Sequence, residues 1–236
     1  MDKNYNAIAI IPARGGSKRI PGKNKKSFCG KPILAYSIEA ALNSGVFDEV
    51  MVSTDDDEIV EIARAYGANV PFMRSPETSG DYATTVDVLR EVLLGYEESG
   101  KEYDYICCLY PTAPFVTAEK LREASETLIR SGEDALVPLV EFSYPPQRGF
   151  VIKDGTATMK WPENLNARSQ DLEPIYHDCG QFYFAKTDAF RREGKMFCDN
   201  TIAMIMTDLE VQDIDTATDW EIAELKYKLL KKRGLV

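Results

Sequence analysis

No apolar run in the chain approaches the roughly 20 residues that a membrane-spanning helix needs. The opening stretch, MDKNYNAIAIIPARGG, lacks the layout of a secretory leader. Cysteine is sparse and odd in number. Cys29, Cys107, Cys108, Cys179 and Cys198 include no C-x-x-C spacing. Cys107 and Cys108 lie in an apolar segment, where a thiol packs as a small hydrophobe. The pattern therefore speaks against a disulfide framework or a structural zinc site, and a reducing, cytoplasmic location fits. Basic residues are outnumbered, 28 against 38 acidic ones, for a net charge of −10. That balance argues against a general nucleic-acid binder, which needs a broad basic face to neutralise phosphates. It does not forbid a local basic pocket for a small anion. The chain has one histidine, His177.

What is present is an alternation of short apolar runs and helical patterns. Residues 7–11 (AIAII), 49–53 (EVMVS), 70–73, 105–109 and 135–140 read as strands. Between them, residues 32–44 read as a helix with Pro32 early and Gly45 after it. Residues 55–66 read as a second, capped by Thr54 with acids in its first turn. Residues 84–96 and 117–129 complete the series. Strands separated by helices of this length predict an α/β, Rossmann-like, mostly parallel sheet with right-handed crossovers. The pattern breaks over residues 141–178, where proline, aromatic and turn signals cluster around a hairpin at Asp154-Gly155. This excursion is too long for an ordinary connection and reads as an arm that packs on a partner or closes a site. A strand at 180–185, a short helix at 188–191, a strand at 202–206 and a final helix at 218–230 follow. The 236 residues thus suit one domain with an inserted arm.

Residues 12–24, PARGGSKRIPGKN, follow the first strand and combine three glycines with Arg14, Lys18, Arg19 and Lys23. Ligands on parallel sheets sit at the carboxyl ends of strands, where this loop begins. Gly15 and Gly16 let backbone N–H groups approach an anion closely, and a triphosphate is the natural guest. The Walker pattern fails, because Asn24 follows Gly22-Lys23 and Ser17 stands at the earlier glycine position. The G-x-G-x-x-G fingerprint is absent. Near the other end, Asp213 and Asp215 stand two apart, which in an extended segment points both side chains one way. Opposite a triphosphate loop such a pair describes a Mg²⁺ site. The same spacing also serves helix capping, with Asp215 or Thr216 as the cap and Asp219 in the first turn.

The stretch IPARGGSKRIPGKN resembles the signature of sugar-activating nucleotidyltransferases, specifically the CMP-sialic acid synthetase (acylneuraminate cytidylyltransferase) family. STDDDEI (53–59), FMRSPE (72–77), DYATT (81–85), LYPTAPF (109–115) and QDIDTATDW (212–220) resemble further landmarks of that family in order. The resemblance covers essentially the whole chain. It implies a nucleotide-diphospho-sugar transferase type of fold with a protruding dimerisation arm, hence a homodimer. It implies CTP as co-substrate and Mg²⁺ or Mn²⁺ as the metal, held by Asp213 and Asp215. It places Ala13, Arg14, Gly15, Gly16, Ser17, Lys18, Asn24, Arg74, Thr84 and Thr85 on the nucleotide. It gives Lys23, with Arg14 and Asp215, the catalytic role at the phosphate under attack. Thr85 stands where the family often has serine; the hydroxyl is kept.

The resemblance implies a nine-carbon keto acid as the sugar. Sialic acid enzymes read LQPTSPLR where this chain has LYPTAPFV, so Tyr110 replaces Gln and Val116 replaces Arg. Together with GQFY (180–183), this looks like the pseudaminic acid cytidylyltransferase branch. Tyr110, Thr112, Arg168 and Gln181 fall on the sugar side, with Arg168 resembling the arginine that meets the sugar carboxylate and Arg148 as a second candidate. A more apolar pocket suits a deoxy, diacylated sugar, because burying an unmet polar group costs free energy. The alternatives are the same reaction on N-acetylneuraminic or legionaminic acid, activation of the eight-carbon Kdo, and a non-catalytic nucleotide sensor.

Overall fold

The structure, a computed structural model, describes residues 5–236; the first four residues of the stretch examined for a leader lie outside it. In chain order the elements begin with β1 (Ala7–Pro12), β2 (Ser27–Phe28), β3 (Lys31–Pro32), α1 (Ile33–Ser44), β4 (Glu49–Ser53) and α2 (Asp57–Ala65). There follow α3 (Pro76–Ser79), α4 (Thr85–Glu98), β5 (Tyr105–Leu109), α5 (Ala118–Ser131) and β6 (Ala135–Glu141). The remainder is β7 (Phe150–Lys153), β8 (Thr156–Met159), β9 (Tyr176–Asp178), β10 (Phe182–Lys186), α6 (Thr187–Glu193), β11 (Thr201–Met206) and α7 (Ala217–Lys232).

The central sheet runs β11-β6-β10-β5-β1-β4, with β9 beside β6. β1 lies parallel to both β4 and β5, and β11 lies parallel to β6. β10 is inserted antiparallel between β5 and β6, and β9 is antiparallel to β6. Most strands therefore share one direction, as the alternating pattern predicts. β1 shows why the centre holds. Its residues Ala7–Ile11 are buried on both faces. Ile8 and Ile10 enter one core with Leu89, Val92 and Phe190 of α4 and α6. Ala9 and Ile11 enter the other with Leu34, Ile59 and Leu121 of α1, α2 and α5. This is the period-two alternation of a strand covered by helices on both sides.

Two local expectations are corrected. Residues 70–73 form no strand: only Asn69 bridges Met51, and Pro71 has no N–H with which to extend the ladder. The cap of α2 is Asp56, whose carboxylate accepts from Ile59 N at 3.1 Å. Thr54 is fully buried and accepts from Asp56 N instead.

Between β6 and β9 the chain leaves the sheet. β7 and β8 form a hairpin turning at Asp154 (φ 50°) and Gly155 (φ 79°), as the sequence reading placed it. Phe150, Ile152, Leu165 and Tyr144 of this excursion are exposed. A third cluster ties the exit of the glycine-rich loop to the last helix: Phe28 meets Tyr36 and Trp220 edge-on at 5.5 Å and Tyr227 at 5.6 Å. All five cysteines are free. Among the described residues, no helix is long and apolar enough to cross a membrane.

Candidate active site

The loop leaves β1 at the carboxyl edge of the sheet and is fastened at once. Ala13 N donates to Ser53 O of β4 at 2.9 Å. Gly15 N donates to Asp55 Oδ1 at 2.8 Å. A Cβ on Gly15 would lie 2.7 Å from Asp56 Oδ2, so this position admits only glycine without rearrangement. Asn24 is buried and donates to Arg14 O at 2.9 Å, closing the loop on itself. Lys25 spans Asp56 (3.0 Å) and Glu58 (2.6 Å), and the hydrogen bond to Glu58 leads in raising its pKa. Burial pushes the Asp56 carboxyl up, but Lys25 and the backbone donors of α2 outweigh it and hold it low.

The four loop cations meet carboxylates from distant segments. Lys18 pairs with Asp81, and Arg14 Nη1 lies 3.4 Å from both Asp81 Oδ1 and Gly80 O. Arg19 Nη1 is 2.5 Å from Asp215 Oδ2. Lys23 Nζ donates to Ile214 O at 2.6 Å and lies 3.5 Å from Asp215 Oδ1. The amino-terminal loop and the D-x-D segment thus converge, although about 190 residues separate them. Asp213 is open to solvent on one side, yet partial burial and then the charge of Asp215 push its carboxyl up. Two neighbouring carboxylates that disfavour joint ionisation are a fitting seat for a hard divalent cation. No cluster of three or more His, Cys, Asp or Glu suited to a metal occurs among the described residues. An ion here would complete its shell with phosphate oxygens and water, as Mg²⁺ ordinarily does.

Two adjoining cavities open beside the loop and share Pro12, Arg14 and Pro111. One, of about 230 Å³, is lined among others by Arg74, Thr78, Thr85, Val88 and Tyr110. The other, of about 370 Å³, is lined by Gly16, Ser17, Lys18, Lys23, Asn24 and Thr112. Arg74 is buried, with Nη2 donating to Ser53 O at 2.6 Å and Nε to Ser53 Oγ at 3.0 Å; burial lowers its pKa. Thr84 lines the first cavity, but its hydroxyl is engaged in the capping box of α4 with Asp87. Tyr110 is raised in pKa by burial, and its hydroxyl is within reach of those of Thr85 and Tyr183.

Three residues from the sequence reading stand apart. Arg168 lies on the excursion, is exposed, and pairs with Asp171 at 2.7 Å. Gln181 is 2% exposed and donates through Nε2 to Glu210 O at 2.6 Å. His177 is exposed on β9 and packs on Phe142, with ring centroids 4.6 Å apart. None of the three lines either cavity. Sequence reasoning passed over Asp81 and Thr78 as site residues. Asp81 sits in the DYATT stretch, but an acid facing two cations is a tertiary fact with no local signal.

Asp81 engages Arg14 and Lys18, two of the cations that the sequence reading offers to a nucleotide. Asp81→Asn is therefore expected to lower the KM for a nucleoside triphosphate about two- to five-fold with kcat unchanged, the range of an exposed ion pair. Steady-state kinetics check this; weaker nucleotide binding would show that Asp81 assists the ligand.

A sequence model of the cytidylyltransferase family matches residues 8–212. A pseudaminic acid cytidylyltransferase of Campylobacter jejuni is 43% identical over 223 residues, covering 94% of this chain and 96% of its own. A CMP-N,N'-diacetyllegionaminic acid synthase of Legionella pneumophila is 34% identical over 236 residues, covering 97% and 99%. Among solved structures, CMP:2-keto-3-deoxy-manno-octonic acid synthetase complexed with CTP superposes with a TM-score of 0.68 at 18% identity, over 96% of this chain and 99% of that one.

Proposed function

We propose that this chain, which belongs to the cytidylyltransferase family, transfers CMP from CTP to the anomeric hydroxyl of pseudaminic acid and releases pyrophosphate. The observation that carries the reading is the convergence of Lys23 and Arg19 on Asp215 beside two adjoining cavities. The triphosphate lies along residues 13–18, taking the contacts that Asp81 makes with Arg14 and Lys18. The nucleoside enters the cavity of Arg74, Thr84, Thr85 and Tyr110. Lys23 stands at the phosphate under attack and neutralises charge that spreads over its oxygens. Asp213 and Asp215 would hold Mg²⁺ or Mn²⁺, which would supply further charge neutralisation at the triphosphate. The sugar hydroxyl attacks the α-phosphate in line, so no covalent enzyme intermediate forms.

For the sugar, the 43% identity to a pseudaminic acid enzyme, against 34% to a legionaminic one, favours pseudaminic acid. Tyr110 and the buried Phe115 and Val116 give the strand end an apolar character suited to a deoxy, diacylated sugar. Residues 141–178 form an arm of the single domain. Its exposed Phe150, Ile152 and Tyr144 cover a second copy in a homodimer. That assembly brings Arg168 or Arg148 from one protomer toward the sugar carboxylate at the other's site. The reaction belongs to the cytoplasm, where CTP is available.

The test is a competition among pseudaminic, legionaminic and N-acetylneuraminic acids with CTP, read by mass spectrometry. CMP-pseudaminate is expected to dominate by at least about 10-fold in kcat/KM, the scale of discrimination that a few pocket contacts give. A dominant legionaminate or neuraminate product would replace the sugar assignment. Pyrophosphate at background with all three would favour a nucleotide sensor.

A further inference from the structure

We infer that Gln181 and Lys226 are positioning residues that hold the Asp213/Asp215 segment in place over the loop. The inference rests on the metal reading given above. Ile214, between the two acids, is buried in the cluster of Phe28 and Trp220 and accepts from Lys23 Nζ at 2.6 Å, so what needs further support is the stretch leading up to them. Between β11 and α7 the chain makes only a 3-10 turn at Asp208–Glu210, and residues 211–215 have no regular structure. The sheet does not hold them. At the far end Asp219 Oδ2 accepts from Asp215 N at 3.1 Å and Thr216 N at 2.7 Å, which fixes the start of α7 and nothing upstream.

Upstream, two side chains from different elements fasten the backbone. Gln181, just before β10, donates from Nε2 to Glu210 O at 2.6 Å. Its backbone O accepts from Tyr110 N at 2.8 Å, so one residue joins the nucleotide cavity's strand end to the acid segment. Its Oε1 is buried without a partner, so what the position uses is the amide donor. A carboxylate of the same shape would face the Glu210 carbonyl with repulsion. Lys226 reaches back from α7, donating to Asp208 O at 2.9 Å and Val211 O at 2.7 Å. Burial lowers its pKa against the opposing charge of Asp208. In a chain of net charge −10 this ammonium serves two carbonyls.

The frame that holds Lys226 is the frame of the loop. α7 packs Trp220 against Phe28, four residues beyond Asn24, with ring centroids 5.5 Å apart. Lys226 and Gln181 therefore set the height of the carboxylate pair relative to Lys23 without lining either cavity.

The test compares Gln181→Glu and Lys226→Met with Lys228→Met, a control on the same helix whose ammonium pairs with Glu224 at 3.6 Å. Free Mn²⁺ is followed by electron paramagnetic resonance in the presence of CTP, alongside the Mn²⁺ dependence of turnover. Each of the first two variants is expected to weaken Mn²⁺ binding roughly 10-fold, the low end for residues that orient metal ligands. Saturating Mn²⁺ should restore most of kcat, and Lys228→Met should match wild type. A lower Tm with unchanged Mn²⁺ affinity in both variants would overturn the inference and leave the reaction intact. Wild-type protein that turns over CTP but shows no CTP-dependent Mn²⁺ binding would remove the metal reading and the inference with it.

Discussion

Lys23→Met is expected to lower kcat by about 10²–10³-fold while moving the KM for CTP much less, the cost of removing one preorganised charge from a transition state. Burial decides which loop cation matters most. The side chain of Lys23 is 18% exposed, against 39% for Arg14, 69% for Arg19 and 76% for Lys18. A charge partly withdrawn from water acts through a lower effective dielectric and is screened less by salt. Lys23 is also the most firmly aimed, because its bond to Ile214 O fixes the ammonium beside Asp215 before any ligand arrives. Lys18→Met, by contrast, should raise the KM for CTP up to about five-fold and leave kcat nearly unchanged, as an exposed contact does. Steady-state kinetics with varied CTP separate the two patterns. A Lys23→Met enzyme within about three-fold of wild-type kcat would remove the lysine from the reaction.

The legible parts of this chain are those where local chemistry suffices. An apolar run followed by glycines and cations announced β1 and the loop, and burial of Ala7–Ile11 bears that out. Asp154-Gly155 announced its hairpin because both residues tolerate positive φ. The strand at 70–73 misled because Val70, Phe72 and Met73 fit a pleated pattern while Pro71 denies the ladder a donor. Thr54 and Asp56 are both good caps two residues apart, and only the packing of Thr54 under β4 decides between them. GQFYFA reads as a strand in either direction, so the antiparallel insertion of β10 was not in the pattern. The site shows the same division. Asp213 and Asp215 are visible as a pair, but the meeting of Asp215 with Lys23 and Arg19 is a tertiary fact. Gln181 was placed with the sugar by its neighbours in sequence, whereas its amide is spent on Glu210.

The two acids are expected to part company when each is replaced in turn. Asp213→Asn should weaken activation by Mg²⁺ by more than about 100-fold, beyond what residues that merely orient ligands lose. It should also raise Tm in the absence of metal. Asp213's carboxyl titrates above its usual range because partial burial and the charge of Asp215 disfavour ionisation. The folded protein then holds that proton more tightly than the unfolded chain, so this group's contribution to stability declines as pH rises through the raised pKa. Once ionised, Asp213 is a liability that asparagine removes. The gain is modest, since Asp213 is solvent-exposed and its repulsion is screened. Asp215→Asn should lose Mg²⁺ activation comparably but lower Tm, because Arg19 and Lys23 both lean on that carboxylate. Thermal melts without metal, paired with Mg²⁺ titrations of turnover, read both quantities. A lower Tm for Asp213→Asn would mean that its ionised carboxylate does not destabilise the fold. Unimpaired Mg²⁺ activation in both variants would mean that the divalent ion binds elsewhere.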